Sequence, residues 1–293
     1  MSGVNKMDGA NIRLLTGVDF RRVDRIYSGS AWVMAHFVPE ELPRLLATRP
    51  ALGAFTPDGR LRAFALATSI VPPCAWFGGF GVDWNERDNA LSLLDDLLPP
   101  WYNLVRDYGA TLAYYSGYDP DNDWLREPLL ERGYHEVMRI RSYDKIGFDS
   151  PTEGNLSVRV RPFRHDDLAA ILDIEEVAFT PPWRHDAREF LEFAADYPFF
   201  VVAELPSGEV AGYQFSGVEG DQGFFVRIAV HPRHHSQGIG ARLMAEAMRY
   251  FAGQHILRIL LNTEEANTHA HRLYEWFGFE QVAPQGFVLE REL

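Results

Sequence analysis

Residues 231–243, HPRHHSQGIGARL, have a composition and spacing that could bind an anion. Gly238 and Gly240 follow a short apolar run and precede residues with helical spacing. A tight loop between a strand and a helix presents unpaired backbone N–H groups, the helix dipole adds partial positive charge, and glycine lets an anion approach the backbone closely. Residues 236–241 are therefore a candidate anion site, although a turn followed by a helix explains the same letters.

Two well-known phosphate motifs do not fit this loop. A Walker P-loop requires Gly-Lys-Ser/Thr, whereas Ala241 and Arg242 follow Gly240 here. A Rossmann fingerprint requires a small residue at position 243, which is Leu243. The sequence therefore excludes both kinds of nucleotide site at this loop.

The elements around the loop occur twice along the chain. In the second half, GFFVRIAVHP predicts a strand, QGIGARLMAEAMRYFAGQ a helix, HILRILLNT a strand and ANTHAHRLYEWFG a helix. The first half has nearly the same order, with a helix in ALSLLDDLLPPWYNLVRDYG that Pro99 and Pro100 should break or kink. GFDSPTEGNL, residues 147–156, has linker composition. We predict two duplicated domains, 1–150 and 151–293, each an α/β fold with a mixed, mostly antiparallel sheet.

Composition narrows the classes of function. The chain has 293 residues, 46% of them apolar, a formal net charge of −13 and one cysteine, Cys74, expected to be a buried inert thiol. An acidic chain without a basic face is not expected to bind nucleic acid, and no apolar run reaches membrane-spanning length. Residues 1–15 contain no long apolar segment, so no secretory signal and a cytoplasmic location are expected. The acidic charge either attracts a cationic acceptor or only maintains solubility.

Two segments resemble one family. VHPRHHSQGIGARLM resembles the acetyl-CoA pyrophosphate loop of the GCN5-related N-acetyltransferases (GNAT), with matching glycines, but His235 stands where the family has Arg or Gln. NTEEANTHAHRLYEWFGFEQV, residues 262–282, resembles the later family motif of Asn, Leu-Tyr-Glu and Gly-Phe at the same separation from the loop. A shorter segment at 174–183, IEEVAFTPPW, is similar to the first-helix region of protein N-terminal acetyltransferases of this family.

The resemblance covers residues 156–293 and implies an acetyl-CoA-dependent N-acetyltransferase that acts on a small-molecule or peptide amine. Tyr274 is the implied general acid toward the CoA sulfur. The implied cofactor-binding residues are Ile228, Ala229, Val230, His235, Ser236, Gln237, Gly238, Ile239, Gly240, Ala241 and Asn267. His235 would bind a phosphate or cap the loop. Residues 1–150 resemble the same fold, so the protein would be a tandem GNAT whose first copy is degenerate, because Glu86 and Asp88 replace the glycine loop.

The general base is open at the level of sequence. The two family positions for a base are Val226 and Asn262, neither of which accepts a proton usefully. The nearby acids, each expected to be a solvated surface group, are Glu175, Glu176, Glu219, Glu264 and Glu265. Absence of a base weighs against peptide N-terminal activity and leaves a non-catalytic CoA-binding or structural module as the alternative.

Five histidines near the two motifs raise the question of a metal site. They are His231, His234, His235, His269 and His271. His269 and His271 are two residues apart on a predicted helix and do not share a face. No cysteine or clear carboxylate partner accompanies them, so we expect no metal. The sequence does not indicate an oligomeric state.

Overall fold

The computed structural model describes residues 11–293, and the chain forms two compact units. The first ten residues, which include most of the segment behind the expectation of no secretory signal, lie outside this range. Within residues 11–293, no helix is long and apolar enough to cross a membrane. Mixed strands and helices, with mostly antiparallel pairing, confirm the predicted fold class.

The first unit comprises the chain up to Val137 together with Phe287–Leu293. Its strands follow the order β1-β3-β4-β5-β6-β13, and β2 pairs with β5. Its elements are β1 (Asn11–Leu14), α1 (Phe20–Gly29), β2 (Val33–Ala35), α2 (Leu42–Thr48), β3 (Ala51–Phe55), β4 (Leu61–Val71), β5 (Cys74–Val82), α3 (Ala90–Asp107), β6 (Leu112–Gly117) and α4 (Arg126–Glu131). Cys74 is buried at the start of β5.

The second unit is Met138–Gly286. Its strands follow the order β7-β12-β11-β10-β9-β8. The elements of this half are β7 (His135–Ile146), β8 (Arg159–Pro162), α5 (Leu168–Ala178), α6 (Ala187–Asp196), β9 (Phe199–Glu204), β10 (Val210–Glu219), β11 (Gln222–Val230), α7 (Ile239–Ala252), β12 (Arg258–Glu264), α8 (Thr268–Trp276) and β13 (Glu280–Glu292).

Each unit takes one strand from the other half of the sequence. Residues 140–146 of β7 pair antiparallel with β12 in the second unit. Residues 287–292 of β13 pair antiparallel with β6 in the first unit. The compact units therefore differ from the predicted division at 150/151, because residues 138–150 pack with the second half and residues 287–293 with the first. The division into two duplicated domains, 1–150 and 151–293, stays a prediction.

Helix α3 is not broken at Pro99 and Pro100, which was one of the two predicted alternatives. One helix of 18 residues runs through both prolines without a break. The prolines remove the N–H groups that would bond the carbonyls of Asp95 and Asp96, and those carbonyls belong to exposed or half-exposed residues. The buried face of the helix, which includes Leu97 and Trp101, packs into the core of the first unit. Water can satisfy the freed carbonyls while burial of the other face holds the helix.

Both units contain one parallel strand pair at the equivalent place. In the second unit, β11 and β12 pair only from Gln222↔Arg258 to Phe224↔Leu260 and then separate. In the first, β5 and β6 pair only from Cys74↔Leu112 to Trp76↔Tyr114. The gap beyond residue 224 in the second unit exposes strand backbone, and the candidate site opens there.

Candidate active site

Two cavities open in the second unit where β11 and β12 separate. The first, the loop-side cavity, has a volume of about 430 Å³ and lies beside residues 235–241. The second, the acceptor-side cavity, has a volume of about 350 Å³ and is lined by Arg227, Asn262 and Glu264 among others. Ile228, Asn267 and Tyr274 line both cavities.

The loop before α7 has the geometry of an anion site. Ser236 and Gly238 both have positive φ, 60° and 74°, which turns the backbone sharply before the helix. The first N–H groups of α7, from Ile239 to Ala241, have no intrahelical acceptor because they belong to its first turn. Gly238 is the N-cap residue, and its left-handed conformation strongly favours glycine. The loop can therefore direct several backbone donors at one anion.

The segment read as a linker holds this loop in place. The backbone N–H of Asn155 donates to the Gly238 carbonyl at 3.1 Å, and its side-chain amide donates to the Gln237 carbonyl at 2.9 Å. Gly154 packs against α7 so closely that a Cβ there would lie 2.3 Å from the Arg242 nitrogen. These residues were missed because linker composition and loop-bracing residues look alike in a sequence.

His235 contacts the strand that precedes the loop. Its Nε2 lies 3.0 Å from the Val230 carbonyl oxygen, and its ring stacks on His269 with the ring centroids 5.3 Å apart. Both rings line the loop-side cavity. The bond to Val230 fits the capping alternative, and a phosphate contact stays a prediction.

All but one of the predicted cofactor-binding residues lie around one cavity. Those that line the loop-side cavity are Ile228, Ala229, Val230, His235, Ser236, Gly238, Ile239, Gly240, Ala241 and Asn267. Gln237 is not among the lining residues; its side-chain amide donates to the Arg233 carbonyl at 3.4 Å. Asn267 caps α8, where its Oδ1 accepts from the Ala270 N–H at 3.1 Å.

Tyr274 lies at the junction of the cavities. It is 6% exposed, and its ring packs near Tyr143 and Phe279. Burial raises the pKa of its hydroxyl, so the group stays protonated at neutral pH. Within residues 11–293, no hydrogen bond reaches this hydroxyl. The role of Tyr274 as an acid stays a prediction, but the hydroxyl is protonated and unengaged.

A buried ion pair lies behind the acceptor-side cavity. Glu175 is 2% exposed, contrary to the expectation of a surface acid, and Arg227 Nη2 lies 2.7 Å from its Oε2. Tyr213 donates to the same carboxylate, and Arg227 also donates to the Trp183 carbonyl at 2.6 Å. The expectation failed because Glu175 lies on the inner face of α5, where the arginine of β11 compensates its charge.

The other acids near the cavity differ in their surroundings. Glu265 pairs with Arg141 at 2.9 Å, while Glu176 and Glu219 are exposed. Glu264, at the end of β12, lines the acceptor-side cavity. Burial raises the pKa of Glu264, and the nearby Trp183 side chain partly offsets this rise.

The five histidines near the two motifs do not share one set of contacts. His271 is buried, with Nδ1 2.8 Å from the Tyr143 hydroxyl and Nε2 3.0 Å from the Glu265 carbonyl oxygen. His234 lies 2.8 Å from Glu209. Among the residues that the structure describes, no group of three or more potential ligands is placed to hold a metal ion.

In the first unit, the equivalent gap between strands is occupied. Strand β2 pairs along β5 from Val33↔Gly81 to Ala35↔Gly79, and the next residue, His36, donates its N–H to Gly78 at 2.8 Å. The His36 ring packs edge-on against Tyr115 of β6, with the ring centroids 5.5 Å apart. This segment thus bridges the two strands that separate.

The loop position of the first unit carries a carboxylate. Hydrogen bonds from Arg62, and then from Asn89 and Arg60, lower the pKa of Glu86 to about 2 against the opposing effect of burial. Both arginines lie 2.8 Å from its oxygens. The carboxylate thus engages the two arginines that could otherwise bind a phosphate at this position.

Comparison with known proteins gives consistent results. Residues 168–279 match the model of the acetyltransferase (GNAT) family. The chain is 30% identical over 123 residues to a putative [ribosomal protein bS18]-alanine N-acetyltransferase of Bacillus subtilis, covering 41% of this chain and 80% of that protein. It is 28% identical over 144 residues to a mycothiol acetyltransferase of Salinispora tropica, covering 45% of this chain and 47% of that protein.

Similarity of structure extends over both units. A solved tandem GNAT protein from the clavulanic acid biosynthesis pathway superposes with a TM-score of 0.67 over 97% of this chain and 98% of that one, at 13% identity. At that identity the likeness concerns the fold alone. The predicted tandem arrangement of two such folds is thereby confirmed.

Proposed function

Because the chain belongs to the GNAT family of acetyltransferases, we propose that its second unit transfers the acetyl group of acetyl-CoA to a primary amine of an acceptor molecule. Acetyl-CoA would occupy the loop-side cavity, and the amine would enter the acceptor-side cavity. The observation that carries this proposal is the position of Tyr274, which lines both cavities at the point where they meet.

The loop and the strand would hold the co-substrate. The backbone N–H groups from Ile239 to Ala241 would bind the pyrophosphate, with the helix dipole adding to the attraction. The backbone of β11 from Ile228 to Val230, exposed where β12 leaves it, would bind the pantetheine arm and orient the thioester. These contacts would place the acetyl carbon near Tyr274.

Tyr274 would act as general acid. Its hydroxyl would give a proton to the sulfur as the carbon–sulfur bond breaks, which makes the thiol a better leaving group than the thiolate. A tyrosine hydroxyl carries its proton at neutral pH, so the proton is available for this transfer. The buried ring, which lines both cavities, would also help to keep water from the thioester.

The first unit would not bind acetyl-CoA. Two observations support this: β2 and His36 occupy the gap between β5 and β6, and Glu86 engages the two arginines at the loop position. We therefore expect one acetyl-CoA for each chain.

The acceptor would be a peptide or small-molecule amine. Similarity to a protein named for the alanine of ribosomal protein bS18 favours a peptide α-amine, and similarity to a mycothiol acetyltransferase favours a small molecule. An acceptor panel of an alanine-led peptide, glucosamine, spermidine and tyramine separates these classes, with released CoA thiol as the readout.

Calorimetric titration of acetyl-CoA into the full chain tests the binding site. Gly238→Glu adds bulk and negative charge to the loop and should weaken binding by at least ~100-fold, since each lost hydrogen bond to a charged group costs about 1.5–3 kcal/mol. Gly208→Glu is the matched control: Gly208 also has positive φ, 87°, but lies in a hairpin with nothing near its Cβ position.

Three results would contradict the proposal. Equal affinity of Gly238→Glu and the Gly208→Glu control for acetyl-CoA would contradict the binding site at the loop. Binding of two acetyl-CoA molecules per chain would contradict the proposal that the first unit does not bind acetyl-CoA. Binding without thiol release for any amine of the panel would favour a CoA-binding module instead.

A further inference from the structure

The acceptor-side cavity contains one carboxylate. The titratable side chains among its lining residues are Arg227 of β11, Glu264 of β12 and Tyr274 of α8; the lining residue of β7 is Ile140. Val226 and Asn262, at the positions expected for a base, also line the cavity, and neither side chain takes up a proton at neutral pH. Asn262 and Glu264 are two residues apart on β12, so both side chains point to the same face of the strand.

Arg227 does not give the cavity a net positive charge. Its guanidinium is paired with buried Glu175 at 2.7 Å and covered by the Phe179 ring, whose centroid lies 3.7 Å from the guanidinium carbon. The charges of this pair compensate each other, which leaves the Glu264 carboxylate as the net charge that an incoming molecule meets. A cationic ligand is therefore favoured and an anionic one disfavoured.

Trp183 connects the ion pair to Glu264. Arg227 Nη2 donates to the Trp183 backbone carbonyl at 2.6 Å, and the Trp183 side chain lines the acceptor-side cavity together with Glu264, whose charged form it favours. The buried pair therefore holds the backbone that carries the indole, and the indole in turn favours the charged form of the Glu264 carboxylate. Arg227 and Trp183 are positioning residues for Glu264.

We infer, on the basis of the acetyl transfer proposed above, that Glu264 is the general base and that the acceptor is a primary amine which enters as an ammonium ion without a neighbouring anionic group. The carboxylate takes one proton from the ammonium. The amine nitrogen then attacks the thioester carbonyl carbon, the C–N bond forms and the C–S bond breaks.

The protons of this step balance. The nitrogen loses two protons between ammonium and amide. One reaches solvent through Glu264, and the other is matched by the proton that Tyr274 gives to the sulfur, after which solvent restores the tyrosine. The products are the acetamide, CoA thiol and one proton.

Glu264→Gln tests the base by its pH profile. The variant keeps the shape of the side chain but cannot accept a proton, so kcat/KM at neutral pH should fall by about 10²–10⁴-fold and the acidic limb of the profile should disappear. Acetyl-CoA affinity, measured by calorimetry, should not change. Glu265→Gln is the matched control, because the neighbouring carboxylate pairs with Arg141 and does not line the cavity; it should keep the parent profile.

Trp183→Phe tests the positioning role. Loss of the indole N–H removes a polar group that favours the charged carboxylate, so the pKa of Glu264 should rise and the acidic limb of the pH profile should move to higher pH. The same shift should be seen without substrate, by carbon-13 NMR of labelled glutamate carboxyls, with the Glu264 signal assigned by its absence in Glu264→Gln.

The outcomes distinguish this inference from the proposal on which it rests. If the parent binds no acetyl-CoA or acetylates no amine of the panel, both fail. If the parent acetylates an amine while Glu264→Gln retains its rate and its acidic limb, the base assignment alone is overturned. If the acidic limb of the pH profile does not move in Trp183→Phe, the positioning role of Trp183 is overturned.

Discussion

Replacing Tyr274 with phenylalanine separates a catalytic role from a packing role. The ring is 6% exposed and packs beside Tyr143 and Phe279, and phenylalanine retains those contacts. The hydroxyl makes no hydrogen bond within residues 11–293, so its removal leaves no buried partner unsatisfied. The free energy of unfolding should therefore change by no more than about 0.5 kcal/mol.

The catalytic effect should be much larger. Loss of a general acid lowers a rate by about 10²–10⁴-fold, which corresponds to about 2.7–5.4 kcal/mol of activation free energy. The affinity for acetyl-CoA should stay the same, because the loop and β11 are unaltered. The measurements are kcat by thiol release with the amine found in the panel, Kd by calorimetry and stability by urea unfolding.

Tyr143→Phe is the matched control. Its hydroxyl lies 2.8 Å from Nδ1 of buried His271, so its removal should cost about 1–3 kcal/mol of stability while kcat stays close to that of the parent. A Tyr274→Phe enzyme that turns over at the parent rate would refute the acid role. A fall in kcat accompanied by an equal loss of acetyl-CoA affinity would refute it as well, because the tyrosine would then act in binding.

Three further changes test the supports of the site and of the first unit. Asn155→Ala removes the side-chain bond to a loop carbonyl and should weaken acetyl-CoA binding about 3- to 10-fold by calorimetry; unchanged affinity would mean that the loop keeps its shape without it. Glu175→Gln leaves Arg227 buried without its counter-charge and should lower the free energy of unfolding by about 3–5 kcal/mol in urea, whereas a loss below about 1 kcal/mol would contradict the importance of the pair. Hydrogen bonds, chiefly from Arg62, lower the pKa of Glu86 from 4.5 to about 2. The contribution of Glu86 to the free energy of unfolding is therefore complete above pH 4.5 and is lost as the pH falls toward 2. In Glu86→Gln the urea midpoint should fall less over this pH range than in the parent, and an equal fall would disprove the contribution.

The sequence by itself determined the local chemistry of the second unit. The loop at 236–241 was predictable because its donors, its helix dipole and its glycines are consecutive in the chain, and the structure shows that turn at the start of α7. The alternation of strands and helices was predictable for the same reason. Family resemblance placed Tyr274, since both motifs have fixed spacing.

Only the tertiary structure decided the surroundings of these residues. Burial of Glu175 depends on Arg227, 52 residues away in the sequence, and the pattern of α5 alone cannot show that partner. Asn155 braces a loop 82 residues away, although its own segment reads as a linker. The opening of a cavity beside Glu264 requires β11 and β12 to separate, and the exchange of β7 and β13 requires pairing between strands from opposite halves of the chain. Each depends on contacts between distant residues, and local patterns of hydrophobicity and turn composition carry no information about such contacts.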